Sequence, residues 1–239
     1  MTAVALNPAG DVTAGARALA ERGRTRVTGV LTTKAAQALH GALADDGLAW
    51  RRSLDNPANV DVPVSIFEGQ PVDEQARLIA MVHDGARDGF QYVYDRFRIG
   101  YGVEAGEAMP QALAELYTLF NSDPWLDFAR RLTGDDRIAH VDAMATRFGP
   151  GQFLNGHNDH HEKAGRLYAY VLNLCPRWRA EWGGLLLFKD DAGEVVEAFT
   201  PGFNVLNVFR VPQAHAVSMV TPFAGAPRLS ITGWWRTQG

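Results

Sequence analysis

The sequence predicts a mainly β chain with flanking helices, an α+β protein whose antiparallel barrel or jelly roll is buttressed by N-terminal helices. Two observations carry that prediction. Helical apolar spacing recurs up to about Asp135, and from Ile138 onward it gives way to about eight short apolar segments punctuated by Gly, Pro and Asn. The 239 residues, 46% hydrophobic, can bury a substantial core, and neither an internal repeat nor a linker divides them. Residues 1–239 therefore read as a single domain, with a helix-rich support region over 1–135 and a strand-rich core over 136–239.

The elements follow in order. Residues 1–12, rich in Ala, Asn, Pro and Gly, read as a loose end, and Thr13 to Arg22 as a helix. A strand over Arg26–Leu31 precedes the helix Lys34–Ala44, capped by Thr32 or Thr33, with Ala35, Ala38, Leu39, Ala42 and Leu43 at helical spacing. Leu48–Leu54 and Val60–Phe67 read as strands, the latter at an edge because of Pro63. Asp73–Arg87 is an amphipathic helix with Ala76, Ile79 and Ala80 on its apolar face, His83 next on that face as a surface or half-buried residue, and Gly89 as its terminator. In Phe90–Ile99 the aromatics Phe90, Tyr92 and Tyr94 share one strand face, which could line a substrate channel but is expected rather to pack on a helix, and a mostly polar face suggests half exposure. Helices over Gln111–Phe120 and Pro124–Leu132 follow, with Ser122 or Asp123 as N-cap of the second. The later strands are Ile138–Arg147, Gln152–Asn155, Arg166–Leu174, Leu185–Lys189, Val195–Ala198, Asn204–Phe209, Ala214–Val220 and Arg228–Arg236.

Composition narrows the function classes. A net charge of −4 gives no overall attraction to nucleic acid, and the groups Arg22/Arg24/Arg26, Arg51/Arg52 and Arg177/Arg179 read as solvated surface. Cys175 is the single cysteine, so no internal disulfide forms, and a buried thiol in a reducing cytoplasm is the expectation. Met1 to Ala20 lacks a basic start followed by an apolar block, so no secretory signal is expected. No apolar run approaches the ~18 residues that span a bilayer.

Metal-capable side chains are densest in Gln152-Phe153-Leu154-Asn155-Gly156-His157-Asn158-Asp159-His160-His161. On a strand, His157 and Asp159 share a face, as do Asp159 and His161, and spacing alone leaves both pairs open. His215, in the apolar segment Ala214-His215-Ala216-Val217, supplies a third ligand. Two imidazoles and one carboxylate on one face of an ion is the donor set of non-haem Fe(II) oxygenases. The absence of a Cys-x-x-Cys pair disfavours a structural zinc site. Near the C-terminus, Arg228 and Ser230 share a strand face that could clamp a carboxylate, although by themselves these residues read better as an ordinary salt bridge on the last strand.

Together these segments resemble the 2-oxoglutarate- and Fe(II)-dependent oxygenases, in their prolyl-4-hydroxylase-like branch. The resemblance runs through Phe153-Leu154-x-x-His157-x-Asp159, Ala169-Tyr170-Val171-Leu172-Asn173-Leu174, Trp178, and Gly183-Gly184-Leu185-Leu186-Leu187-Phe188. It continues in Pro201-Gly202-Phe203-Asn204-x-Leu206, His215-x-Val217 and Arg228-x-Ser230-x-Thr232-Gly233-Trp234, covering about Arg147 to Arg236. It implies a double-stranded β-helix with His157, Asp159 and His215 as the iron ligands, and it selects His157 over His161. Arg228, with Ser230, would bind the distal carboxylate of 2-oxoglutarate. Two features depart from the family pattern: Asn173 stands where members often place a Tyr that bonds 2-oxoglutarate, and the Pro222–Pro227 insert lengthens the gap from His215 to Arg228. Gly183-Gly184 is expected to permit a bend or a close backbone approach. The implied cofactors are Fe(II) and 2-oxoglutarate, with ascorbate as an optional reductant. The implied activity is O2-dependent hydroxylation of a C–H bond in a prolyl residue of a protein, in free proline or in a related amino acid. The retained Asp159 argues against halogenation, because related halogenases lack that carboxylate. The rival class is a non-catalytic barrel that senses a metal or 2-oxoglutarate.

Overall fold

In the computed structural model, which describes residues 4–7, 12–55 and 59–238, the chain opens with α1 (Thr13–Arg22), β1 (Arg24–Thr28) and α2 (Thr33–Ala44). Thr32 caps α2, its hydroxyl accepting from the Ala35 N–H at 3.3 Å. The antiparallel pair β2 (Arg51–Asp55) and β3 (Asn59–Pro63) leads into α3 (Val64–Glu68) and α4 (Val72–Gly85). β4 (Tyr92–Phe97), α5 (Ile99–Glu104), α6 (Gln111–Phe120) and α7 (Asp123–Thr133) follow. Then come β5 (His140–Val141), β6 (Met144–Phe148), β7 (Phe153–His157), β8 (Arg166–Leu174) and β9 (Leu186–Lys189). β10 (Val195–Phe199), β11 (Phe203–Arg210), β12 (His215–Val217) and β13 (Arg228–Arg236) complete the chain. None of the helices among the described residues is long and apolar enough to cross a membrane.

The strands join in the order β1-β11-β8-β13-β6-β4-β7-β12-β9-β10, every pairing antiparallel. β6 and β7 run one after the other along β4, at Asp95↔Arg147 and then at Val93↔Phe153, so they act as one long strand bent at Gly149–Gln152. This bend carries the sheet from one face of the barrel to the other. At its ends, β1 and β10 meet through side chains: Arg22 and Arg24 both pair with Glu197, and Arg26 donates to the Thr200 carbonyl at 2.6 Å.

Strand alternation divides the core. Tyr170, Leu172, Leu229 and Ile231 point outward and pack with Leu39, Leu116, Phe120 and Trp125 of the helices. Ala169 and Val171 point inward, against Leu186, Phe188, Phe199 and Phe209. Asn204 fastens the barrel to the N-terminal half, its amide exchanging hydrogen bonds with the Leu31 backbone at 2.6 and 3.0 Å.

Several elements differ from the sequence-based expectation. The strand over Val60–Phe67 stops at Pro63, which has no N–H for the ladder, and Val64–Glu68 is helical. Ile138–Arg147 is two strands, interrupted at Asp142–Ala143, where the Asp142 N–H still donates to the Trp234 carbonyl at 3.0 Å but its own carbonyl accepts from the Tyr170 hydroxyl at 2.6 Å. In α4, Ala76 and Ala80 are exposed, while Leu78, Ile79 and Val82 pack inward, and the helix ends at Gly85 rather than at Gly89, whose φ is not left-handed. Within the expected loose end, Val4 is buried and Leu6 bridges to Leu31, whereas residues 1–3 and 8–11 lie outside the described residues.

The second face of β4 is not half-exposed. Val93 is buried with Val82 of α4, and Asp95 is 2% exposed between two guanidinium groups. Arg52 bonds Asp95 while lying 4.6 Å over Phe67, so it is no solvated surface residue. Arg147 reaches the same carboxylate at 2.9 Å and lies 4.9 Å over Trp50. Asp95→Ala leaves Arg147 without its counter-charge and Arg52 with the exposed Glu68 alone, at 3.9 Å. Urea denaturation of the variant is expected to show a loss of roughly 3 kcal/mol or more.

Candidate metal centre

The site grows out of a strand pairing. His157 closes β7, His215 opens β12, and the two are direct partners across the ladder, their ring centroids 4.1 Å apart. Each ring is oriented from behind by a backbone carbonyl, Asn155 O to His157 Nδ1 at 2.9 Å and Gln213 O to His215 Nδ1 at 2.8 Å. With Nδ1–H donating, each Nε2 keeps its lone pair for the space in front. Asp159 faces both, its two carboxylate oxygens 3.5 Å from the two Nε2 atoms. The three prospective ligand atoms lie within 4.8 Å of one another.

Strand alternation is not what aims Asp159. It lies beyond the end of β7 at φ 60°, so a left-handed residue turns the carboxylate back toward the imidazoles. His161 is exposed and outside the cluster, which leaves His157 as the partner of Asp159. His83, half-buried as expected, sits 3.3 Å from the Gly151 carbonyl and takes no part. Burial, helped by neighbouring His157, pushes the His215 imidazole down to about 4, so it is neutral at neutral pH. Burial works to raise the Asp159 carboxyl, but the neighbouring His157 and His215 side chains outweigh it and hold it below its ordinary range.

A cavity of about 260 Å³ runs inward from this cluster to Arg228. Arg228 is 2% exposed, and its Nη1 donates to Ser230 Oγ at 3.2 Å. Ser230 Oγ is 2.8 Å from Thr146 Oγ1, which makes a short hydroxyl chain at the closed end. The guanidinium stands 5.3 Å over the Phe148 ring, its Nε has no partner, and no carboxylate pairs with it among the described residues. Burial lowers its pKa to about 10, so it remains a cation. The insert after Val220 folds away as a turn, with Ala224 N bonded to Thr221 O at 3.1 Å, and the longer gap leaves Arg228 in place. Asn173 is not brought to the cavity: its amide N–H groups donate to the Val171 and Val205 carbonyls at 3.2 Å. The paired glycines do allow a close approach. A Cβ on Gly183 would meet the Met219 carbonyl oxygen at 2.0 Å, and one on Gly184 would meet Arg228 Cδ at 3.0 Å.

The aromatic face of β4 lines the cavity instead of packing on a helix. Phe90, Tyr92, Tyr94 and Phe148 form a run with centroid spacings of 5.7, 5.5 and 5.0 Å, and Phe90 lies 5.8 Å from His157. Burial raises the Tyr94 phenol to about 12, so it stays protonated. Sequence reasoning missed two further lining residues. Thr146 had no motif around it, and Arg166, the first residue of β8, stacks on Trp234 with its Cζ 3.5 Å from the ring centroid.

Comparison with known proteins agrees with this geometry. Residues 143–236 match the profile of the 2OG-Fe(II) oxygenase superfamily. The chain is 35% identical to a Xenopus laevis prolyl 3-hydroxylase, OGFOD1, over 102 residues, which are 40% of this chain and 19% of that protein. The match thus spans about a fifth of that relative's length. A Pseudomonas putida prolyl-4-hydroxylase superposes over 100% of this chain and 98% of its own, with TM-score 0.60 and 17% identity. A Trichoplax adhaerens prolyl hydroxylase, solved with a hypoxia inducible factor oxygen degradation domain peptide fragment, superposes over 95% of this chain and 89% of its own, with TM-score 0.61 and 19% identity. At such identities the structural likeness speaks for the fold, a double-stranded β-helix with flanking helices. Residues 143–236 are thus similar to the 2OG-Fe(II) oxygenase superfamily, and the fold is shared with solved prolyl hydroxylases.

Proposed function

We propose that this protein is an Fe(II)- and 2-oxoglutarate-dependent dioxygenase that hydroxylates a prolyl residue. The observation that carries the reading is a buried cation without a counter-charge at one end of a cavity whose other end holds two imidazoles and a carboxylate. A buried guanidinium needs an anion, and among the described residues no side chain supplies it. A dicarboxylate that reaches from Arg228 to the ligand cluster fits that need. The donor set of His157 Nε2, His215 Nε2 and one Asp159 oxygen suits Fe(II), and it leaves positions open on the cavity side. Bound there, Fe(II) would supply the redox chemistry by which O2 oxidises 2-oxoglutarate to succinate and carbon dioxide while the second oxygen atom enters a C–H bond.

The chain's own residues bind, orient and exclude water. Asn155 O and Gln213 O hold the two imidazoles in the ligating tautomer. Arg228, steadied by Ser230 and Thr146, receives the distal carboxylate of the co-substrate. Phe90, Tyr92 and Tyr94 give the substrate side an aromatic wall, which suits the apolar pyrrolidine ring of proline. The named relatives act as prolyl 3- and prolyl 4-hydroxylases, and the carbon attacked here, in a polypeptide or in a free amino acid, is part of the test. The buried Cys175 thiol suits a reducing, cytoplasmic setting.

Anaerobic addition of 2-oxoglutarate to the Fe(II)-loaded protein is expected to produce a visible charge-transfer band, absent from His215→Ala and from His157→Ala. No band despite bound iron would overturn the co-substrate assignment. Incubation in air with proline-containing peptides should release succinate in step with one oxygen gained by the peptide, read by mass spectrometry. Arg228→Met should keep iron and raise the 2-oxoglutarate concentration for half-saturation on the order of a hundredfold.

A further inference from the structure

Asp159 holds a left-handed backbone conformation, which Asp tolerates better than most non-glycine residues but still at a cost. At φ 60° a non-glycine residue costs roughly 1 kcal/mol, and such a conformation persists where the surroundings enforce it. The other two members of the triad are set by the ladder, which ends at the His157↔His215 pair. Beyond that pair the next backbone bond is long, Gln213 N to Asn158 O at 3.4 Å. The Asp159 carboxylate must therefore be aimed by something other than the sheet.

Arg166 supplies the hold. Its Nη1 donates to the Asp159 carbonyl oxygen at 3.1 Å, and its guanidinium lies flat on the Trp234 indole, with Cζ 3.5 Å from the ring centroid. Arg166 opens β8 and Trp234 sits on its ladder partner β13, opposite Ala169, so the stack is anchored across two paired strands. No ion pair with a carboxylate occupies Arg166 among the described residues, and its Nε is buried without a partner. A cation kept this close to a cation-binding triad opposes metal uptake by charge alone. Its presence is explained by geometry: the planar fork and flat stacking surface fix a carbonyl in a way a lysine ammonium does not.

We infer that Arg166 is a positioning residue for the metal, clamping the Asp159 carbonyl so that the carboxylate stands in register with His157 and His215. This rests on the reading of the triad as an iron site.

The charge and geometry roles predict opposite outcomes. The metal-free full-length protein would be titrated anaerobically with Co(II), following its ligand-field absorption, for the wild type, Arg166→Met and Arg166→Lys. Clamping predicts that both variants bind Co(II) about tenfold or more weakly. It also predicts unchanged affinity for 2-oxoglutarate at saturating Co(II) and unchanged thermal midpoints of the metal-free forms. Co(II) binding by Arg166→Met as tight as the wild type, or tighter, overturns the inference, as does a matching fall in the metal-free midpoint. If Arg166→Met fails to fold, Arg166→Lys decides, since it keeps the charge and loses the fork. A wild type that takes up no Co(II) overturns the iron-site reading, and the inference falls with it.

Discussion

Across the β7–β12 ladder His215 stands opposite His157, and the rest of the site is arranged around that backbone pairing. A slip of one residue in either strand would turn one imidazole to the other face of the sheet. The register is held from both sides. β12 also pairs with β9, with His215 opposite Phe188, and β7 pairs with β4, with Leu154 opposite Tyr92. The pairing brings the two imidazoles together, and it brings the aromatic face of β4 alongside them.

Two buried charges show how the same physics serves structure and function. Asp95 lies on the outer side of β4 and is neutralised within the chain by Arg52 and Arg147. Arg228 lies on the inner side of the barrel, and its polar partner is the neutral hydroxyl of Ser230. The first group is complete, and removing it damages the fold. The second carries an unmet electrostatic demand, which shapes the cavity for an anion.

The barrel and its ligand set were legible in the sequence because each left a local trace. Period-two patterning marked the strands, and ordered motifs marked His157, Asp159, His215 and Arg228. What the sequence hid was direction. Tyr92 and Tyr94 alternate as any strand residues do, and only the neighbours of β4 decide that they face the cavity while Val93 faces α4. Asn173 shares the inward face with Ala169 and Val171, yet its amide is consumed by backbone carbonyls, a fate no spacing reveals. Arg166 is part of no short motif because its stacking partner, Trp234, comes from the last strand, and its bond is to the backbone carbonyl of Asp159, which no side-chain pattern marks.

The junction of β1 with β10 has a consequence for how the cavity is enclosed. Elsewhere around the barrel, adjacent strands are stitched by backbone hydrogen bonds, whereas here Glu197 joins Arg22 at the end of α1 and Arg24 of β1. Such a seam is electrostatic, partly solvated and free of ladder register. The cylinder is thus a rolled ribbon with a fastening along one side, and the N-terminal segment, far from the metal in sequence, is its clasp.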